Sequence, residues 1–208
     1  MEITLLVFEI VGTVAFAVSG AMTALTRHMD IFGVAILGLM TAVGGGAIRD
    51  ITLGLTPPAM FTNPLYAILA LLSSVLVFLP SVRWALLRKK RMFDTVLLVM
   101  DSLGLGVFTV AGIQTALRAN ENCGVFLLLF VGVITGVGGG VLRDVLAGNT
   151  PYIFVKHVYA CASLSGAAVC VAMWRFAGGT AAMLGGASVT VALRLLAAHY
   201  RWSLPHAD

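Results

Sequence analysis

Seven long apolar stretches decide what this chain can fold into. They run over residues 3–26, 31–48, 64–82, 95–117, 123–142, 158–174 and 176–193. A helix needs about 20 mostly apolar residues to cross the hydrocarbon core of a bilayer. Only 11% of the residues are charged and 60% are hydrophobic, whereas soluble domains carry roughly 25% charged residues. A water-soluble fold of 208 residues could not hide that much apolar surface, so lipid must be the solvent. The reading is an all-α membrane protein with seven transmembrane helices, in one membrane domain with no room for a second, soluble one. The last two stretches are separated only by Arg175, with Gly178 and Gly179 just beyond. A tight turn and a single bent element both fit there.

Basic residues orient such a chain. Arg83, Arg88, Lys89, Lys90 and Arg91 cluster between the third and fourth stretches, and the positive-inside rule puts that loop in the cytoplasm. Seven spans then place the N-terminus outside and the C-terminus inside, in a cell inner membrane. Arg27, the five loop residues, Arg143, Lys156, Arg194 and Arg201 fall inside, which is 10 of the 13 Lys and Arg residues. Arg49, Arg118 and Arg175 fall outside. This use of the positive charge replaces a nucleic-acid reading of the net charge of +4. No Lys or Arg precedes Arg27, so the first stretch lacks the basic region of a cleaved leader and is expected to stay as a helix.

The chain repeats itself. At an offset of 92, Glu9 falls on Asp101, Gly12 on Gly104, Phe16 on Phe108 and Gly20 on Gly112. After the next loop the offset is 94. Gly38 then falls on Gly132, Thr41 on Thr135, and Gly44-Gly45-Gly46-x-x-Arg49-Asp50 on Gly138-Gly139-Gly140-x-x-Arg143-Asp144. A seven-residue motif with five fixed positions does not recur by chance in a register already set by other matches. Repeat one covers about 3–82, a cytoplasmic basic loop 83–93, repeat two 94–174 and a seventh helix 176–198. Each repeat holds three spans, an odd number, so the second copy inserts upside down. Transport proteins with inverted repeats keep their site near the midplane between the halves.

Chemistry is sought where the repeats match. One glycine in a helix costs about 1 kcal/mol relative to Ala, so each triplet is expected to break or kink its helix. A break frees carbonyls that only protein or a water-filled cavity can satisfy, and such carbonyls suit a cation. Close packing of small residues is the other reading; the symmetric recurrence favours a pore or substrate site. Arg49, Asp50, Arg143 and Asp144 are costly ionisable groups at membrane depth. Sequence neighbours do not face each other on a helix, so the expected partners are Asp144 or Asp101 for Arg49, and Asp50 or Glu9 for Arg143. Interfacial arginines that snorkel to phosphates are the alternative. Glu9, Gly12, Phe16 and Gly20 share one helix face, repeated by Asp101, Gly104, Phe108 and Gly112. The acids on these faces line a path or serve as structural hydrogen-bonded groups. Ser19 and Ser102 offer hydroxyls to the path, or bond their own helix backbone.

Thr56-Pro57-Pro58 and Thr150-Pro151 read as turns, and Lys156 and His157 as interfacial. Cys123, Cys161 and Cys170 follow no metal-ligand or CxxC spacing; Cys161 and Cys170 are expected in the core as small hydrophobes. The chain carries no nucleophile elbow, HExxH motif, Walker loop or Cys-His cluster, so neither an enzyme nor a tightly held metal or cofactor is expected.

The two GGGxxRD motifs, the segment Phe16-Ala17-Val18-Ser19-Gly20-Ala21, Asp101 and the seven spans resemble the prokaryotic branch of the trimeric intracellular cation channel (TRIC) family, also catalogued as a glycine-transporter domain family. The resemblance covers nearly the whole chain from about Glu9. It implies a homotrimer with one pore per protomer, running between the repeats, narrowest at glycine-kinked second and fifth helices, and passing potassium and sodium. Membrane lipid and the chain itself are then the expected partners. Animal members carry a lysine motif near the kinks tied to phosphoinositide binding; arginine and aspartate stand here, so that regulation does not carry over. Arg49 and Arg143 would repel cations unless carboxylates neutralise them or they act as gates. A carrier for a small zwitterion such as glycine, held by an arginine on its carboxylate, is the rival. Gly185-Gly186 in the seventh stretch permits close packing without counting subunits.

Overall fold

The computed structural model describes residues 2–120, 122–155 and 158–202. Lys156, His157 and His206 lie outside them. The described chain is helical throughout, in the order α1 (Glu2–Thr26), α2 (Ile31–Thr52), α3 (Ala59–Thr62), α4 (Leu65–Phe78), α5 (Pro80–Arg88), α6 (Lys90–Ala119), α7 (Val125–Leu146), α8 (Tyr152–Val155), α9 (Tyr159–Ala177) and α10 (Gly179–His199). Helices α1, α2 and α4 pack together as the first repeat, and α6, α7 and α9 as the second. The repeats meet along α1–α6 and α2–α7, and α10 lies against α9 and α6. Six of these helices are long and apolar enough to cross a membrane, and α4 with α5, taken together as one bent span, makes the expected seventh. Large apolar side chains such as Leu72, Phe126 and Phe176 are exposed on the outer faces, as lipid allows and water would penalise.

The third apolar stretch is not one straight span. Leu65–Phe78 and Pro80–Arg88 meet at 66°. Pro80 lacks the N–H that would continue the helix and pushes Leu79 into an extended conformation, ψ 138°. The crossing part, α4, is 14 residues, about 21 Å at 1.5 Å per residue. Between the last two stretches there is a true turn: Gly178 adopts φ +78°, and α10 folds back onto α9. Cys170 is buried as expected, but Cys161 is exposed on the surface of α9.

At the glycine triplets the expected break is absent and the alternative, close packing, is what the structure shows. Residues 31–52 and 125–146 are helical without interruption, so neither triplet breaks its helix. A break would leave backbone groups unsatisfied at several kcal/mol each in hydrocarbon, more than the roughly 1 kcal/mol each glycine costs. The triplets instead let α2 and α7 cross in near contact. A Cβ on Gly45 would lie 2.2 Å from the Thr135 carbonyl oxygen, and one on Gly139 would lie 2.2 Å from that of Thr41. The crossing is symmetric on both flanks, since Gly44 faces Leu142 and Gly138 faces Ile48. Beside it the Phe16 and Phe108 rings meet at a tilt of 39° with centroids 5.3 Å apart, each against the glycine of the other repeat, Gly104 and Gly12. The pseudo-two-fold axis passes here.

Candidate functional site

Both arginine–aspartate pairs sit in the last turn of a long helix, and that turn is closed alike in each repeat. Leu53 and Ala147 donate back to the Arg49 and Arg143 carbonyls, and Leu55 and Asn149 to those of Asp50 and Asp144. Gly54 and Gly148 supply the positive φ, +70° and +66°, that this C-terminal cap needs. The aspartates are thereby fixed beneath the following loop, where Asp50 accepts the Ala59 N–H at 2.8 Å and Asp144 the Tyr152 N–H at 2.9 Å.

In the first cluster the Arg49 Nε donates to Asp50 at 2.8 Å, and its Nη1 stands 4.0 Å from Glu9. Glu9 also accepts the Tyr66 hydroxyl of α4 at 2.5 Å. A cavity of about 40 Å³ lies among Glu9, Thr13, Gly46, Arg49 and Tyr66, room for two or three waters. Two carboxylates face one guanidinium, leaving one formal negative charge in excess among the described residues.

The second cluster repeats the frame and tightens it. Arg143 is 0% exposed. Its Nε donates to Asp144 at 2.8 Å and its Nη1 to Asp101 at 2.5 Å and to Ser19 at 2.6 Å. A second guanidinium, Arg194 of α10, reaches Asp101 at 3.5 Å. Arg143 lies 4.8 Å over the Tyr152 ring and Arg194 4.7 Å over that of Tyr159. Among the described residues two carboxylates face two guanidiniums, and the charge closes. A cavity of about 340 Å³ opens beside Asp94, Leu97, Asp101, Tyr152 and Arg194. Glu9 and Ser19 are ten residues apart on α1, so the clusters lie about 15 Å apart along that helix.

The pairing differs from the one expected. Each arginine bonds its sequence neighbour and the acid of its own repeat, not an acid of the other. The rule that adjacent residues diverge concerns Cβ directions; the arginine stem curls back far enough for Nε to reach. Neither arginine snorkels, since Arg49 is 5% exposed and Arg143 0%. Across the repeats, the Arg143–Ser19 bond joins the second cluster to the first repeat. Ser102 donates to the Leu98 carbonyl of its own helix and, among the described residues, takes no part in either cluster's bonds. Arg194, which had been counted as an orienting charge, is 2% exposed and belongs to the site. Repeat matching could not find it, because α10 has no counterpart in the first repeat. Tyr66 and Tyr159 were missed for another reason: after Pro58 the offset drops from 94 to 93, and at that offset the two tyrosines coincide.

A family described as Glycine transporter matches residues 6–81 and 98–175. The chain is 39% identical over 201 residues to the inner membrane protein YadS of Escherichia coli, covering 95% of this chain and 93% of that one. The fold superposes on the TRIC trimeric intracellular cation channel orthologue from Rhodobacter sphaeroides with a TM-score of 0.87 at 33% identity, covering 97% of this chain and 100% of that one. A prokaryotic TRIC channel superposes with a TM-score of 0.89 at 27% identity, covering 98% and 100%.

Proposed function

The chain belongs to the prokaryotic branch of the trimeric intracellular cation channel family, the same family described as Glycine transporter, and from that premise we propose that it is a homotrimeric inner-membrane channel for potassium and sodium with one pore in each protomer. The pore runs from the Glu9 cavity to the Asp101 cavity between the two repeats, with the N-terminus outside and the C-terminus in the cytoplasm. The observation that carries this reading is the charge balance. Every arginine in the two clusters is matched by carboxylate, and the first cluster holds a carboxylate in excess, so the path attracts cations instead of repelling them.

The narrow point is the α2–α7 crossing at Gly45 and Gly139, which this arrangement holds closed. Parting the two helices would join the cavities past a wall that is largely backbone, a surface suited to an ion that must bind weakly to pass. Arg49 and Arg143 act as anchors that hold the helix ends while the crossing moves, with Glu9, Asp50, Asp101 and Asp144 as their counter-charges. Ser19 lines the path beside Arg143.

One feature favours a second reading, a carrier for a small zwitterion such as glycine: the two cavities share no lining residue, as in an alternating-access protein. Recording from purified protein in planar bilayers separates the two. Unitary currents that reverse near the potassium equilibrium potential in a potassium chloride gradient, and persist with sodium, are expected, from a particle of trimeric mass by native mass measurement. Absence of unitary currents together with saturable uptake of labelled glycine into proteoliposomes would overturn the channel.

A further inference from the structure

Of the three arginines that the charge count places outside, Arg49 belongs to the first cluster. Arg118 and Arg175 remain, on the side of the membrane where the positive-inside rule gives them no orienting task. Both are exposed and make no ion pair among the described residues. They stand at the rim of a cavity of about 690 Å³ where the end of α6, the start of α7 and the end of α9 converge. Its walls are apolar, with Leu117, Leu128, Val171 and Trp174 among them. Within it lies Gln114, 1% exposed, whose Oε1 has no hydrogen-bond partner among the described residues. A buried acceptor left unpaired costs about 1–3 kcal/mol, so the site calls for a donor. Gln114 and Arg118 are four residues apart on one face of α6, the amide about 6 Å deeper than the guanidinium along the axis.

The fold does not impose this chemistry. At the repeat offset the positions of Gln114 and Arg118 are held in the first repeat by Met22 and Thr26, which offer neither a cation nor an amide. Two cations at the membrane surface, an acceptor one turn below and an apolar wall with a tryptophan make a sequence of environments by depth, and it complements one molecule class.

We propose that this cavity binds an anionic phospholipid. The phosphate lies between Arg118 and Arg175 in charge-assisted hydrogen bonds, an acyl chain covers Leu117, Leu128, Val171 and Trp174, and a water at the depth of the lipid's ester groups donates to Gln114 Oε1 and to an ester carbonyl. The site is independent of what the pore conducts.

Native mass spectrometry of the intact detergent-purified protein tests it, with phosphatidylglycerol, phosphatidic acid and phosphatidylcholine of equal acyl chains, and with inorganic phosphate alone. One phosphatidylglycerol per chain, retained over phosphatidylcholine, is expected. The double variant Arg118→Gln/Arg175→Gln should lose that preference by about tenfold, the worth of a charge-assisted hydrogen bond, with its oligomeric mass and melting temperature unchanged. Gln114→Leu should weaken phosphatidylglycerol and phosphatidic acid alike, about threefold, since both carry the same ester groups at its depth. A control pair in the basic loop, Arg83→Gln/Arg88→Gln, should keep the preference. The proposal is overturned if the double variant retains phosphatidylglycerol as the parent does, if inorganic phosphate protects equally well, or if the double variant falls apart into smaller oligomers, since a second copy of the chain would then be what covers the cavity.

Discussion

The two charge clusters start from one template and end as different objects. Glu9, Arg49 and Asp50 correspond to Asp101, Arg143 and Asp144, yet among the described residues the first cluster is loose and one charge negative while the second is tight and neutral. Three differences produce this. Glu9 is one methylene longer than Asp101, and reaches Tyr66 while leaving Arg49 at 4.0 Å; the shorter Asp101 is held between two arginines. Arg143 gains a hydroxyl from Ser19, whose counterpart at the repeat offset is Ala111. Arg194 comes from α10, which only one side of the molecule possesses. An inverted repeat thus supplies matching frames at two levels of the bundle, and side-chain length together with one added helix sets the electrical character of each.

The largest expected effect separates the clusters outright. Asp101→Asn removes a charge from between Arg143 and Arg194 where solvent cannot compensate. Breaking a buried pair in this way costs about 3–5 kcal/mol. Glu9→Gln acts on a side chain 18% exposed and 4.0 Å from its arginine, and should cost about 1 kcal/mol or less. Thermal unfolding of the detergent-purified variants measures both. Equal losses would mean that the difference in tightness has no energetic weight.

The next effect should be alike on both sides. Gly45→Ala and Gly139→Ala each place a methyl 2.2 Å from a carbonyl oxygen of the crossing helix. Overpacking of that kind costs about 1–3 kcal/mol, against which the better helix propensity of Ala returns about 1. Both variants should melt lower by similar amounts. If one were tolerated and the other not, the crossing would lack the symmetry assigned to it.

These cases also mark how far the residues alone could be read. The seven spans, the inverted repeat and the acids and arginines of the clusters were legible, because apolar length and recurrence register directly in the sequence. For the glycine triplets both a break and close packing were legible, and the residues alone favoured the wrong one, since helix propensity opposes a continuous helix and only the approach of a second helix, a tertiary fact, decides for packing. The pairing of Arg49 with Asp50 was hidden by a rule about Cβ directions that a long side chain escapes. Arg194 was hidden because recurrence cannot find a residue without a mate, and its place near a span end invited a role in orientation. The bend at Leu79 did have a signal, Pro80, within the apolar run.

Arg194 also offers a way to make the clusters alike. Among the described residues, Arg194→Gln leaves Asp101 and Asp144 facing Arg143 alone, so the second cluster takes on the one excess negative charge of the first. A unit charge about 4 Å from an ion in water is worth about 1 kcal/mol, a change of about fivefold in local cation occupancy. Single-channel conductance at low salt should therefore rise for ions entering through the Asp101 cavity, and the gain should fade as ionic strength screens it. An unchanged current–voltage curve from a variant that still conducts would show that the α10 charge does not shape that cavity.

The smallest effect tests the comparison at its finest grain, in the two tyrosines that coincide at an offset of 93. Tyr66 donates its hydroxyl to Glu9, and the ring is half-buried. Tyr159 is 2% exposed, and its hydroxyl has no hydrogen-bond partner among the described residues. Its oxygen instead sits by Gly140, 2.6 Å from where a Cβ would be, and its ring serves as the face beneath Arg194. The deeper tyrosine thus works through its ring and the shallower one through its oxygen, so loss of the oxygen should matter more where there is less burial. Tyr66→Phe should cost about 0.5 kcal/mol, the low end for a hydrogen bond at a part-exposed site, and loosen Glu9. Tyr159→Phe keeps the ring under the guanidinium and should leave the melting temperature unchanged. The reverse order would place a buried partner on the Tyr159 hydroxyl, such as an ordered water held between it and Arg143, and would give the second cluster a hydrogen-bonded tyrosine after all.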